Sequence, residues 1–562
     1  MDDSTAAETD ALPGLQLIPR IGIVAGPLLA AAIFFLLPRL DPSLPYAAVA
    51  TATLTALMAT WWMTEAIPLE ATALLPLVML PLLGVYSAPI AVGDVVLVRS
   101  LKTTARVVSL DGPQATVAVN LPDGAREYEV EVKNLAKDSA IKRAAASYAD
   151  PAIFLFLGGF LIALAIEKWG LHRRLALLTI LAVGTQPARL VDGFILATGL
   201  ISMWISNTAT TVMMLPIGLS VISLLQTRFN AAGTNTDKTA ASNFATSLLL
   251  GLAYSASIGG FATLIGTPPN VFFVGYMRDR GITIDFGRWM LFAGPLSLFY
   301  LGLCWWLLTH WLYPIRMKEI PGGRELIRGE LTKLGRVSRG EWIVLVVFLC
   351  TAAMWIFRTP LAKLPDFARW FPAIHSIDDS VVAMTAALAL FLIPVYPSKG
   401  QFALDWRTAS RVPWGVLLLF GGGMSLAAAI TDSGLATWIG TQVSVLGDLP
   451  PLVQVVFVVT LIVFTGELTN NLSAVVALLP ILFEIAVGLK IDPMLLCVPA
   501  VVAASCGFML PVATPLNAIV FGGGHLKMRQ MIRAGWWLDL AAIGLVPLAT
   551  YTLGKWALGI QF

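Results

Sequence analysis

Apolar runs close to the length of a membrane-crossing helix recur along the whole chain. Candidate spans lie at 20–38, 46–63, 68–86, 151–168, 243–277, 288–313, 341–358, 380–396, 413–432, 494–524 and 535–558, against the roughly 20 apolar residues that a spanning helix needs. The spans at 243–277 and 494–524 are interrupted. Two further segments, 188–226 and 451–489, each hold two shorter runs separated by a polar tip. That pattern suits helical hairpins that enter a membrane and return to the same side. The tips read Ser206-Asn207-Thr208 and Asn470-Asn471-Leu472. Hydrocarbon penalises such clusters unless they face protein, water or a ligand.

The two tips belong to a repeat. Gly158-Gly159 pairs with Gly421-Gly422, Trp169-Gly170-Leu171 with Ser433-Gly434-Leu435, and Leu215-Pro216-Ile217 with Leu479-Pro480-Ile481. Gly266-Thr267-Pro268-Pro269-Asn270 pairs with Ala513-Thr514-Pro515-Leu516-Asn517, at a shorter offset because the polar loop 228–243 has no counterpart. An odd number of spans between equivalent points makes the halves inverted. Inverted repeats with interrupted helices at matching positions are the mark of a secondary transporter.

One stretch departs from the membrane pattern. Between 91 and 137 lie short β-prone runs at 95–98, 105–108, 115–119 and 128–132, with turn signals at Asp111-Gly112-Pro113 and Pro122-Asp123-Gly124. They predict a small SH3-like antiparallel barrel of four or five strands. Its charges are balanced and form no basic stripe, so nucleic acid is not an expected partner. The chain thus divides into N-terminal spans (1–90), the β insertion (91–137), the rest of the first repeat (138–313), a linker (314–340) and the second repeat (341–562).

Composition agrees. Of 562 residues, 57% are hydrophobic and 13% charged, with mean hydropathy +0.79, whereas soluble domains carry roughly 25% charged residues. An all-α polytopic membrane protein with one all-β insertion is expected. The four cysteines and four histidines show no metal-ligand spacing. Residues 1–16 begin acidic and lack the basic start of a cleavable signal. Basic residues cluster at 168–174, 316–339, 399–411 and 527–533. With a cytoplasmic N-terminus, all four clusters fall on the cytoplasmic side. The C-terminus and the insertion then lie outside. Arg278, Arg280 and Arg288 oppose this assignment. No phosphate loop, His-Glu-x-x-His or Gly-x-Ser-x-Gly is present, so neither ATP-driven pumping nor an enzyme is expected.

Each half offers a hairpin tip and a Thr-Pro break. Proline removes a backbone donor and frees carbonyls. Carbonyls, hydroxyls and amide oxygens are hard ligands suited to Na⁺. The N–H groups of a helix N-terminus suit carboxylate or sulfate oxygens, and Ser206-Asn207-Thr208 opens the second arm of its hairpin. Ser202, four residues earlier, shares its face. Neither tip contains Arg or Lys, so cotransported cations would have to offset a dianion. Glu65 and Glu467 are candidate membrane-depth carboxylates, as proton carriers or as structural acids bonded to backbone N–H.

Ser206-Asn207-Thr208, Ile265-Gly266-Thr267-Pro268-Pro269-Asn270 and Leu510-Pro511-Val512-Ala513-Thr514-Pro515-Leu516-Asn517-Ala518 resemble the signature of the divalent anion/sodium symporter family. Trp61-Trp62-Met63-Thr64-Glu65-Ala66-Ile67-Pro68 and Phe154-Leu155-Phe156-Leu157-Gly158-Gly159-Phe160 resemble it too. The resemblance covers nearly the whole chain outside 91–137. It implies a homodimer in the inner membrane, with a scaffold and a moving transport domain. It implies an elevator mechanism and Na⁺-coupled symport of a C4-dicarboxylate such as succinate or malate. Citrate or sulfate as substrate, exchange, and proton coupling are the alternatives, and a sensor on the same fold is a third class. By the same resemblance, Ser202, Ser206, Asn207 and Gly266 would hold one Na⁺. Thr469, Asn470, Asn471 and Ala513 would hold a second. The anion would lie among Asn207, Thr208, Thr267, Asn471, Thr514 and Pro515. The chain departs from the family pattern at the second tip. Leu472 stands where a hydroxyl is expected, and Gly466 stands where a hydroxyl is common.

Overall fold

The computed structural model describes residues 17–86, 95–98, 103–111, 114–121, 124–131, 135–136, 140–232, 235–317, 322–442 and 449–562. Residues 1–16, the insertion's flanks at 91–94 and 137, and part of the 314–340 linker lie outside the described residues. Among the described residues, eight helices are long and apolar enough to cross a membrane. Four shorter apolar helices, at Leu69–Leu82, Asp379–Leu392, Pro451–Gly466 and Met494–Ala504, supplement them. The chain is a multi-pass helical membrane protein.

Most expected spans form helices within a few residues of their anticipated limits. The 68–86 run does not form one continuous helix. It is divided into Leu69–Ala73 and Leu75–Leu82, where Pro76 supplies no N–H to the ladder. Glu65 closes the preceding helix, Tyr46–Thr64, in a left-handed conformation (φ 48°) with its N–H bonded to Trp61 O, a conformation uncommon outside glycine.

The two segments with polar tips are helix pairs. α1 (Pro187–Ser202) and α2 (Asn207–Ala232) flank the first tip. α3 (Asn235–Gly260) and α4 (Pro268–Arg278) are the two pieces of the first interrupted span. α5 (Pro451–Gly466) and α6 (Asn471–Gly488) flank the second tip. α7 (Met494–Ala504) and α8 (Pro515–Gly522) form the second interrupted span. α1 and α5 carry proline in the first turn, and α4 and α8 begin with Pro268 and Pro515. Proline is tolerated there because the first-turn N–H groups have no intrahelical acceptor.

The sequence repeat has matching backbone geometry. Gly170 and Gly434 both adopt left-handed φ, 71° and 81°, in the turns after Pro151–Lys168 and Trp414–Asp432. The helical core is one continuous cluster, while the insertion has its own. Its five strands pair antiparallel, with the last-but-one strand, Gly124–Glu131, at one edge and Leu135–Ala136 at the other. Val107, Val117, Val119 and Val130 fill its interior.

Candidate functional site

Close helix crossing sets the first tip. A Cβ on Gly259 would lie 2.1 Å from Gly199 O, and one on Gly260 would lie 2.4 Å from the Asn207 amide. Only glycine lets α3 approach α1 this closely. Ser202, at the end of α1, is fully buried. Its Oγ lies 2.7 Å from Asn207 Oδ1 and 2.8 Å from Ala256 O, though a hydroxyl has only one proton to donate. With its nitrogen turned inward, the Asn207 amide donates to Ser202 Oγ (2.7 Å), Gly266 O (3.1 Å) and Ala256 O (3.3 Å). With its oxygen inward, four oxygens converge with a single proton among them. That donor set fits a small, hard cation.

The broken spans are stapled alike. Asn270 Nδ2 donates to Phe261 O (3.1 Å) and Thr263 O (2.7 Å). Asn517 Nδ2 donates to Gly507 O (3.2 Å) and Leu510 O (2.9 Å). These two asparagines hold the unwound backbone in shape. Trp289 Nε1 adds a bond to Phe261 O (3.0 Å), and Thr263 Oγ1 bonds Met203 O, tying the first break to the first tip.

The second tip is built differently. Asn470 Oδ1 accepts from Leu472 N (3.0 Å), closing off the start of α6. Asn471 Oδ1, Ser473 Oγ and Ser505 Oγ are buried without a partner among the described residues. Buried polar atoms in proteins are usually bonded, so the Asn471 oxygen, at the tip, marks a place where a ligand would be accommodated. Glu467 is held by the backbone: its two oxygens accept from Met509 N (2.8 Å) and Leu510 N (2.9 Å). This is the geometry of the second of the two roles read for that acid, a structural carboxylate bonded to backbone N–H.

A cavity of about 380 Å³ joins these elements. Ser206, Asn207 and Thr208 line it from the first tip, and Asn470, Asn471 and Leu472 from the second. The breaks contribute Gly266, Thr267, Ala513, Thr514 and Pro515. Of the twelve residues singled out from sequence, only Ser202 and Thr469 are absent from the wall. Ser202 lies behind Asn207, and the Thr469 hydroxyl donates to Thr465 O (3.1 Å). The sequence reading missed Glu70, Ser257, Phe156, Phe160, Gly415 and Val416, which complete the wall. Ser257 lies on α3 and Phe156 and Phe160 flank Gly158-Gly159, but none of the six sits at a polar tip or a Thr-Pro break. Among the described residues Glu70 is the only ionisable one on the wall, and it packs over Gly415.

Comparison with known proteins gives a consistent picture. Residues 23–560 match the family model described as the sodium:sulfate symporter transmembrane region. The sodium-dependent dicarboxylate transporter SdcS of Staphylococcus saprophyticus is 36% identical over 543 residues, covering 96% of this chain and 92% of its own. SdcS of Staphylococcus aureus strain USA300 is 35% identical over 544 residues, with the same coverage. Two solved structures share the fold at low identity. The Alcanivorax borkumensis YdaH transporter aligns with TM-score 0.50 at 14% identity, over 88% of this chain and 100% of its own. Neisseria gonorrhoeae MtrF aligns with TM-score 0.53 at 12% identity, over 88% and 98%.

Proposed function

The chain belongs to the sodium:sulfate symporter family, and from that premise we propose that it carries a C4-dicarboxylate such as succinate or malate together with Na⁺. It is a transporter rather than an enzyme. One observation carries the assignment to this site: both tips and both breaks line a single cavity.

In this reading Asn207, Thr208, Thr267, Asn471, Thr514 and Pro515 surround the anion. Ser202, Ser206, Asn207 and the Gly266 carbonyl bind one Na⁺; the four converging oxygens around Asn207 support this site. Thr469, Asn470, Asn471 and Ala513 bind a second, supported by the unpartnered Asn471 Oδ1. The N–H groups opening α2 face the anion. Among the described residues no Arg or Lys lines the cavity, so the bound cations supply the countercharge. Binding of Na⁺ and binding of the anion therefore reinforce each other.

The helix pairs α1–α2 and α5–α6 are read as re-entrant hairpins of two inverted repeats, 138–313 and 341–562, joined by the 314–340 linker after the 1–90 spans. The hairpins and breaks form the moving part of an elevator in a homodimer of the inner membrane. The N-terminus lies in the cytoplasm, with the C-terminus and the SH3-like 91–137 insertion on the opposite side. The basic clusters support this orientation.

Thermal unfolding of purified protein tests the site. A ligand bound only by the folded state stabilises by mass action, on the order of 2.7 kcal/mol at 100 times its Kd. Succinate is expected to raise Tm only when Na⁺ is present, and Asn207→Ala to abolish both responses. Equal succinate stabilisation in K⁺ and in Na⁺ would contradict coupled binding at this site.

A further inference from the structure

The two tips occupy equivalent places in the repeat but offer an anion different chemistry. At the first, Thr208 brings a hydroxyl to the cavity, and among the described residues no side chain accepts from the Asn207 or Thr208 N–H. Thr267, which starts α4, makes no side-chain capping bond. Two hydroxyls and the first N–H groups of α2 are therefore uncommitted. At the second tip fewer of the equivalent donors are free. Leu472 replaces the hydroxyl with an isobutyl group on the cavity wall. The Leu472 N–H, the donor an anion would need, is bonded to Asn470 Oδ1. Thr514 Oγ1 accepts from Asn517 N (3.2 Å), which fixes its position and leaves its one proton to donate. The one ionisable group on the wall, Glu70, is an acid.

We propose that the cavity is polarised, holding a charged carboxylate at the first tip and receiving an uncharged or apolar end at the second. This rests on the dicarboxylate reading above and narrows its substrate class. The chain accepts C4 carboxylates whose far end is esterified, amidated or alkylated about as well as it accepts the symmetrical dianion. The physical reason is an asymmetry in what each end of the ligand loses and gains. A carboxylate moved from water must recover its hydrogen bonds or bear the loss. The first tip can return them. The second returns the Asn471 amide and the one Thr514 proton, and sets Leu472 against the group. A methyl ester or a carboxamide at that end gives up less hydration and gains contact with Leu472. Thr208 and Leu472 are then the specificity-determining pair, and Asn470 acts through the Leu472 N–H as a positioning residue.

The test is competition against labelled succinate counterflow in Na⁺-loaded proteoliposomes, with succinate, monomethyl succinate and succinamate as competitors. In the native protein both half-derivatives should compete within about fivefold of succinate, where loss of a properly bonded charged end costs about tenfold or more. Leu472→Thr should restore a hydroxyl to the second tip and raise the preference for succinate by about fivefold or more. Leu472→Ser provides the same chemistry should the threonine variant not fold. Native discrimination against both half-derivatives beyond about fivefold would overturn the inference. So would an unchanged preference in the hydroxyl variants. Those results leave succinate transport intact, whereas absence of any succinate counterflow would overturn the dicarboxylate reading itself.

Discussion

At the residue scale, the first half of the site is defined by who shares a proton with whom. With the Asn207 amide oxygen turned inward, Ser202 Oγ, Asn207 Oδ1, Ala256 O and Gly266 O converge with a single proton among them. Ser202→Ala should weaken Na⁺-dependent stabilisation by about tenfold in Na⁺ concentration, since it deletes one oxygen of four. The second half lacks the matching hydroxyl, yet has room for one: the nearest atom to a Cβ on Gly466 is Ala504 O at 3.8 Å. Gly466→Ser is therefore expected to fold normally and to lower the Na⁺ concentration giving half-maximal stabilisation. A raised requirement would contradict the two-site reading. Ser202 and Asn207 were legible in the sequence, because a polar cluster in an apolar run, seen twice, stands out, whereas Gly466 was singled out only through the family resemblance. Glu70, Ser257 and Gly415 were not legible. They reach the cavity by tertiary packing alone, and nothing local in the sequence distinguishes them from other positions.

At the element scale, the breaks and crossings have definite causes. Glu467 caps the unwound segment after α7 by accepting from Met509 N and Leu510 N. Glu467→Ala orphans both donors in a buried setting and should cost about 2–5 kcal/mol of stability. Glu467→Gln keeps one acceptor and should cost distinctly less; chemical or thermal unfolding in detergent reads the difference. The α1–α3 crossing depends on Gly259. Gly259→Ala puts a methyl 2.1 Å from Gly199 O and should destabilise by about 2 kcal/mol or more. Gly302→Ala, with nothing within 4 Å of its Cβ, should be nearly neutral. The expected spans mostly matched because a 20-residue apolar run leaves a helix few alternatives in a membrane. The division of 68–86 was less legible: hydropathy is continuous through Leu74, and only the backbone shows where the ladder is interrupted.

At the scale of the whole molecule, two cores coexist. The helical body packs around one continuous cluster, and the five-stranded insertion packs around another. Among the described residues, none of the insertion lines the cavity. Replacing 91–137 with a short Gly/Ser linker should therefore leave Na⁺-dependent substrate stabilisation unchanged within about twofold, because sites without shared partners behave independently. The repeat, visible as pairs such as Asn207 with Asn471, accounts for the cavity: two similar halves meet, and each lends a tip and a break. The central claim is that Na⁺ and a dicarboxylate move together through that meeting point. Uptake of labelled succinate into proteoliposomes, driven by an inward Na⁺ gradient, tests it most directly. Accumulation that requires Na⁺, collapses when the gradient is dissipated and is lost in Asn207→Ala is the predicted result. Equal uptake with K⁺ replacing Na⁺ on both sides would contradict it.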